Sequence, residues 1–333
     1  MDLDVYVARH GPTWDRLEVL LRKPGRLRGA ELDELVDVYQ RTATHLSVVR
    51  TSLPDPLLVA RLSQLVGRAR GAIGSRREVG WRAVAVYLVR TFPAAAYRAR
   101  WWWLGAAVVC LSISVVEASW IITHPAVQAR LLPRAEVRQL VDHDFAGYYH
   151  AAPHSSFAAQ VWTNNAFTAA ECLVGGVLLG IVPAYLLFVT AVAQLGPSAG
   201  YLIAAHHGGQ FFALILPHGL LELTAVFLAA GAGLRLGWVV VAPGARSRGR
   251  ALAEEGRTTI ALVPGLALAL LVSGLIEGFV TPSSIPPVPR VAIGVLAWQA
   301  FLSSVLLLGR RAVSGGVTGD LTGGLAGSGE LEV

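Results

Sequence analysis

The chain has 333 residues, 54% of them hydrophobic and 15% charged, with a formal net charge of +6. Soluble domains usually carry about 25% charged residues, and here the charges crowd into residues 1–100 and 242–257. This excludes an ordinary soluble enzyme and predicts an all-α polytopic membrane helix bundle of about six spans with a soluble helical amino-terminal domain; the arginines flank apolar spans, so the positive balance does not indicate nucleic-acid binding.

Residues 1–98 are expected to form a cytoplasmic helical domain. The opening DLDVYVARHGPTWDRLEV lacks the basic start, apolar stretch and small-residue cleavage site of a secretory signal. WDRLEVLL at 14–21 follows Thr13, an expected N-cap, and Pro24 and Gly25 end it. The next helix carries Leu32, Leu35, Val36, Tyr39, Ala43, Leu46 and Val49 on one stripe of period near 3.6. A third helix is expected after Pro54.

The membrane domain is expected over 99–311. Its first span, 101–122, is long enough for a bilayer core of about 20 residues. Arg98 and Arg100 precede it, and Trp101 to Trp103 form an interfacial aromatic belt. Residues 123–163 are expected to be an external loop, with a short amphipathic helix around 134–149 that inserts Phe145, Tyr148 and Tyr149 into the outer surface. Further spans are expected at 165–195, kinked at Pro183, then 200–216, 218–241, 259–280 and 291–309. Residues 200–216 are interrupted by His206, His207, Gly208 and Gly209 and alternatively form a re-entrant segment. The tail, 312–333, is Gly-rich and expected to be disordered. Six spans place both termini on one side. Arg98, Arg100, the 242–257 loop and Arg310-Arg311 then all face the cytoplasm of a bacterial inner (plasma) membrane.

Acids inside spans are costly, about 2.5–3.5 kcal/mol at mid-bilayer on insertion scales. On this topology Glu117, Glu171, Glu222 and Glu277 all fall in the outer third, with His218 level with them and Asn164 and Asn165 just above. Four acids at one depth on four helices predict a shared polar vestibule opening outward. His218 and Glu222 stand four residues apart on one helical face and are placed to hydrogen-bond each other. Pro217 reads as a helix entrance, and Gly274 and Gly278 flank Glu277 to permit close backbone approach. Each has a plainer alternative: Glu117 reaching interfacial water, Glu171 capping a helix start, the others making structural interhelical bonds.

Missing motifs narrow the chemistry. HGLLE lacks the second histidine of HExxH, so a zinc protease is not expected, and no Walker A sequence is present. His150 and His154 have helical metal spacing but no identifiable third ligand. Cys110 and Cys172 lie in apolar segments and make no disulfide framework or redox pair. No catalytic residue, metal or cofactor is expected.

LPHGLLELTAVFLAAGAGLRLG at 216–237, WTNNAFTAA at 162–170 and GLIEGFVTPS at 275–284 resemble the stage II sporulation protein M family of bacterial membrane proteins. WDRLEVLL and LVDVYQRTATHLSVVRT resemble the soluble amino-terminal region of its longer members. The matching positions are Asn164, Asn165, His218, Gly219, Glu222, Glu277, Thr281 and Pro282. The resemblance implies a multi-spanning scaffold that holds peptidoglycan-degrading enzymes at the membrane and is not itself the hydrolase. It also implies a MoxR-type ATPase as a cytoplasmic partner. The resulting expectation is a non-enzymatic inner-membrane protein of cell-envelope assembly or remodelling. It would meet other membrane or envelope proteins through the vestibule, with self-association into a homo-oligomer as a further expectation. The alternative is a transporter or permease subunit in which the same Glu and His residues bind a cation, a proton or a substrate.

Overall fold

The computed structural model describes residues 3–22, 30–52, 55–75, 81–150 and 152–321. Among them there are helices and no strands. The chain divides into two compact units, Met1–Arg82 and Ala83–Val333.

The first unit packs three helices: α1 (Leu3–Leu20), α2 (Ala30–Ser52) and α3 (Pro56–Ser75). Trp14, Leu17, Leu35, Val49 and Leu62 are wholly buried between them. Of the expected stripe, Leu35 and Val49 are buried and Val36, Tyr39, Ala43 and Leu46 half-buried, while Val38 and Thr42, outside it, are buried as well. Burying large side chains at this spacing is what holds short amphipathic helices together in water. Thr13 does not cap a helix: α1 begins ten residues earlier and runs through Pro12. Tyr6, buried in the same cluster as Trp14, keeps the preceding turns helical. Pro24 and Gly25 lie outside the described residues.

The second unit begins within α4 (81–98), not at residue 99 as expected. Phe92, Ala94, Ala95 and Ala96 are buried, and Phe92, Ala95 and Ala96 join the same cluster as Trp103, Leu228 and Leu266. The small side chains of this stretch let α4 sink into the bundle, which is why the boundary falls earlier. α5 (Arg100–Thr123) is the first long apolar helix. Two short helices, α6 (Pro125–Leu131) and α7 (134–147), follow it. The bundle is completed by α8 (His154–Gly175), α9 (Ile181–Ala204), α10 (Gly208–Val241), α11 (Arg248–Val280) and α12 (Pro287–Ser314).

Five of these, α5 and α9 to α12, are long and apolar enough to cross a membrane. α8 has 22 residues, a spanning length, but its run of Gln160, Asn164, Asn165 and Glu171 makes it more polar. With α8 the bundle has six long helices, although the expected boundaries shift. The stretch 165–195 is not one kinked span. α8 and α9 form a hairpin whose turn places Leu179 at φ 56° and Gly180 at φ 77°, conformations that glycine adopts without strain. Pro183 lies in the first turn of α9. Residues 200–216 are neither a span nor a re-entrant segment: they end α9 and begin α10, joined at a turn where His206 has φ 65°. The external loop is also shorter than 123–163, because α8 starts at His154.

Close contacts fix the direction of the helices. Gly231 meets the backbone of Trp103, Gly233 meets Cys172 and Pro183, and Gly200 meets Ile121. α5 and α9 therefore run together, opposite to α8 and α10. Gly294 of α12 meets Pro217, and Gly309 meets Pro93 and Tyr97. One end of the bundle gathers His218, Thr281 and the loop before α12. The other gathers Arg235, paired with Glu255 at 2.9 Å, and Arg246, paired with Glu254 at 2.7 Å.

Phe145 and Tyr149 do not insert into lipid. Phe145 stacks on Phe211 at 5.9 Å, and Tyr149 lies buried against Phe157. Part of the tail is ordered: after α12 the chain turns at Gly316, and Gly319 packs on the backbone of Ala95. Residues 322–333, where the rest of the expected disorder falls, lie outside the described residues.

Candidate functional site

α10 and α11 supply the polar centre. His218 and Glu222 project from α10, one turn apart, and Glu277 from α11, one turn beyond Ser273. The helical period of 3.6 puts each pair on one face, and the two faces meet. His218 and Glu277 are each 4% exposed, and Glu222 is half-buried. One potential ligand atom from each of the three lies within 4.8 Å of the others.

The partners differ from those expected. His218 does not bond Glu222. Its Nδ1 is 3.3 Å from Thr281 Oγ1, and its Nε2 is 3.9 Å from Glu277 Oε1. Glu222 accepts instead from Ser273 Oγ at 3.2 Å and from the Asn165 side chain of α8. Ser273 Oγ is also 3.1 Å from the His218 carbonyl oxygen, so its one proton is shared between that carbonyl and Glu222. A histidine packed along its own helix points away from the next turn, so across-helix partners win over the local one. Glu277 makes no hydrogen bond among the described residues, and His218 Nε2 stands 3.9 Å from its Oε1.

A cavity of about 570 Å³ stands over the cluster, with Glu222 and Glu277 in its floor and Tyr148, Phe157, Gln160, Asn164 and Gln194 in its walls. Tyr149 closes one side of the histidine, with ring centroids 5.9 Å apart. Below the cluster, Ala225, Leu228, Ala229, Ala230 and Gly231 are all buried. The cup is therefore closed toward the arginine end.

Of the expected site residues, His218, Glu222, Glu277 and Asn165 converge and Thr281 supports them. Asn164 is exposed at the rim. Glu171 does not belong to the site. Because α8 starts at His154, Glu171 lies next to Cys172, whose carbonyl packs on Gly233, near the arginine end, and it is exposed. Glu117 is level with His218: fourteen residues from the contact of Trp103 with Gly231 lie Glu117 on one helix and Pro217 on the other. It faces Gly196 of α9, however, with Oε2 buried and unpartnered among the described residues, and does not join the cluster.

The packing residues behave unequally. Gly278 meets Ala158 and the His154 carbonyl, and Gly274 meets the Ala158 carbonyl, so α8 and α11 approach through these glycines. Pro217 is not an entrance but lies inside the 34-residue α10, where the missing Cβ of Gly294 admits its carbonyl. A Cβ at Gly219 would meet only Ile215 of its own helix. Pro282 sits in the turn that ends α11. His150 and His154 fall on different elements and share no helical face. Sequence reasoning missed Ser273 and Tyr149. A hydroxyl four residues before Glu277, in an otherwise apolar run, was the available signal for Ser273; nothing local marks Tyr149.

Neither the comparison with curated proteins nor that with solved structures found a match. A family profile described as Domain of unknown function (DUF8413) matches residues 4–75, which is nearly the whole first unit. A second profile, described as Stage II sporulation protein M, matches residues 84–282. That span begins at the second unit, ends just beyond Thr281, and includes every residue of the cup. Covering more than half of the chain, it assigns the protein: this chain belongs to the stage II sporulation protein M family.

Proposed function

We propose that the protein is a non-enzymatic scaffold of cell-envelope assembly or remodelling in a bacterial inner membrane. The cup faces outward as a docking site for an envelope protein. The amino-terminal unit is cytoplasmic, where it meets a partner such as a MoxR-type ATPase. The observation that carries this reading is the one-sided cup: polar at its floor, walled by Gln160, Asn164 and Gln194, and sealed beneath by close-packed Ala and Gly of α10. Such a site holds something at its mouth without passing it through. The orientation rests on the arginine bias: Arg98, Arg100, Arg246, Arg248, Arg250, Arg257, Arg310 and Arg311 lie toward the opposite end, against Arg130, Arg134, Arg138 and Arg290 toward the cup, the balance the positive-inside rule favours.

Two measurements on the same protein test the reading. A photo-crosslinker at Gln160, exposed on the cavity wall, is expected to capture a peptidoglycan-acting enzyme in cells, and Asn164→Ala at the rim is expected to weaken that capture. Purified protein in liposomes is expected to carry no proton or cation current. A current abolished by Glu277→Gln would replace docking with transport, the reading that a buried carboxylate between helices otherwise favours.

A further inference from the structure

The cup floor has a feature that docking does not explain. Thr281 Oγ1 donates to the Ile276 carbonyl at 3.3 Å. The same hydroxyl lies 3.3 Å from His218 Nδ1, and with its one proton on the carbonyl it would accept from Nδ1–H. In that tautomer Nδ1 carries the ring proton, and the lone pair of Nε2 would face Glu277 Oε1, 3.9 Å away. A neutral imidazole lone pair and a carboxylate oxygen repel one another, and the gap is too wide for a shared proton. Glu277, with a side chain only 5% exposed, has no hydrogen bond among the described residues and lines the cavity. Glu222 adds a second carboxylate within 4.8 Å of both.

We propose that His218 Nε2, Glu222 and Glu277 bind one divalent transition-metal ion of the Zn²⁺ type, with its remaining position open to the cup. The geometry fits with small motions. Metal–ligand bonds of about 2.0–2.2 Å place tetrahedral ligand atoms about 3.4 Å apart. Atoms now within 4.8 Å of one another need to close by about 1.4 Å at most, a displacement on the scale of a carboxylate rotation. Charge fits as well: two carboxylates and a neutral imidazole balance a dication in a site largely removed from water. One nitrogen and two oxygens suit zinc, manganese or ferrous iron better than magnesium or calcium. The surrounding residues have the form of an outer shell. Thr281 holds the histidine tautomer, and Ser273 and Asn165 orient Glu222, as partners of metal ligands do. Three protein ligands and one open position are the arrangement of a site that also binds a further group. Through that position the ion would hold a carboxylate or other anionic donor entering the cup. The metal goes beyond the docking reading and is tested without any partner.

The experiment uses the full chain in detergent micelles, stripped with a chelator and titrated with ZnCl₂, with bound zinc counted by elemental analysis. Wild type is expected to hold about one zinc per chain and, loaded with Co²⁺ instead, to show the intense visible bands of a low-coordinate site. His218→Ala and Glu277→Gln are expected to lose at least about tenfold in zinc affinity, and Thr281→Val to lose about tenfold while keeping the stoichiometry. Glu171→Gln, remote from the cup, is expected to bind as wild type does. Glu277→Cys guards against a folding failure: a thiolate ligand gives the cobalt form a new sulfur charge-transfer band, which only an assembled site produces. Wild type without stoichiometric zinc overturns the proposal. So does zinc binding that is unchanged in both His218→Ala and Glu277→Gln.

Discussion

The two units hold their helices together by opposite means. In Met1–Arg82 large side chains fill the space between the helices: Trp14, Leu17, Leu35 and Leu62 have no exposed surface. A Cβ added at Gly11, Gly67 or Gly71 would meet nothing within 4 Å. In Ala83–Val333 the backbones themselves touch, and Gly176, Gly231, Gly233, Gly237 and Gly294 each face another helix's main chain. The difference follows from the solvent. Water drives apolar side chains together in proportion to buried area. Lipid supplies no such force, so helices associate through close packing and interhelical polar bonds, for which small residues are required. The same requirement explains the cup, because Gly274 and Gly278 bring α8 close enough for Asn165 to reach Glu222.

Breaking a helix contact in the second unit should have the largest effect. Gly233→Leu drives a side chain into the Cys172 carbonyl, and neither backbone has room to yield. Overpacking of a core costs about 1–3 kcal/mol where side chains can shift and more where they cannot; against main chain a cost above that of losing a buried tryptophan, about 3–5 kcal/mol, is expected. Size-exclusion chromatography in detergent should show loss of the monodisperse peak. A wild-type profile would mean that these helices do not touch as described.

Next in size is Trp14→Ala. Removing a buried tryptophan costs about 3–5 kcal/mol, and it also leaves His45 without the donor now 3.2 Å from its Nδ1. Hydrogen exchange should show residues 3–75 losing protection while α5 to α12 keep theirs. Equal loss in both units would mean that their stabilities are not separate. The smallest effect sharpens the contrast from the other side. Gly71→Ala, exposed within α3, should stabilise the first unit by about 0.5–1 kcal/mol through helix propensity and a less flexible unfolded chain. The same change at Gly237, where a Cβ would overlap the backbone at Gly180, should be destabilising. Thermal unfolding of the two variants should move in opposite directions.

Much of this was legible in the sequence because its signals are local. The stripe from Leu35 to Val49 and the apolar run from Trp101 to Ile122 each declare an element without reference to any other. Six long helices, five of them apolar enough to span, also appear, although several helix boundaries moved. The moves have one cause: hydropathy averages over a window, and a polar helix such as α8 is blurred into its apolar neighbour. That blurring carried Glu171 from one end of the bundle to the other. The site was legible as a set of unusual residues, since an acid in an apolar run stands out wherever it is placed.

Composition and periodicity by themselves determined the helical membrane class, the helical unit at the amino terminus, and the unusual standing of His218, Glu222 and Glu277. Only the tertiary structure decided which of these residues meet. His218 finds Thr281 across 63 residues of chain, and Glu222 finds Ser273 across 51. No local pattern encodes such pairings, because they depend on how closely two backbones approach. That approach is set by glycines on one helix lying opposite main chain on another.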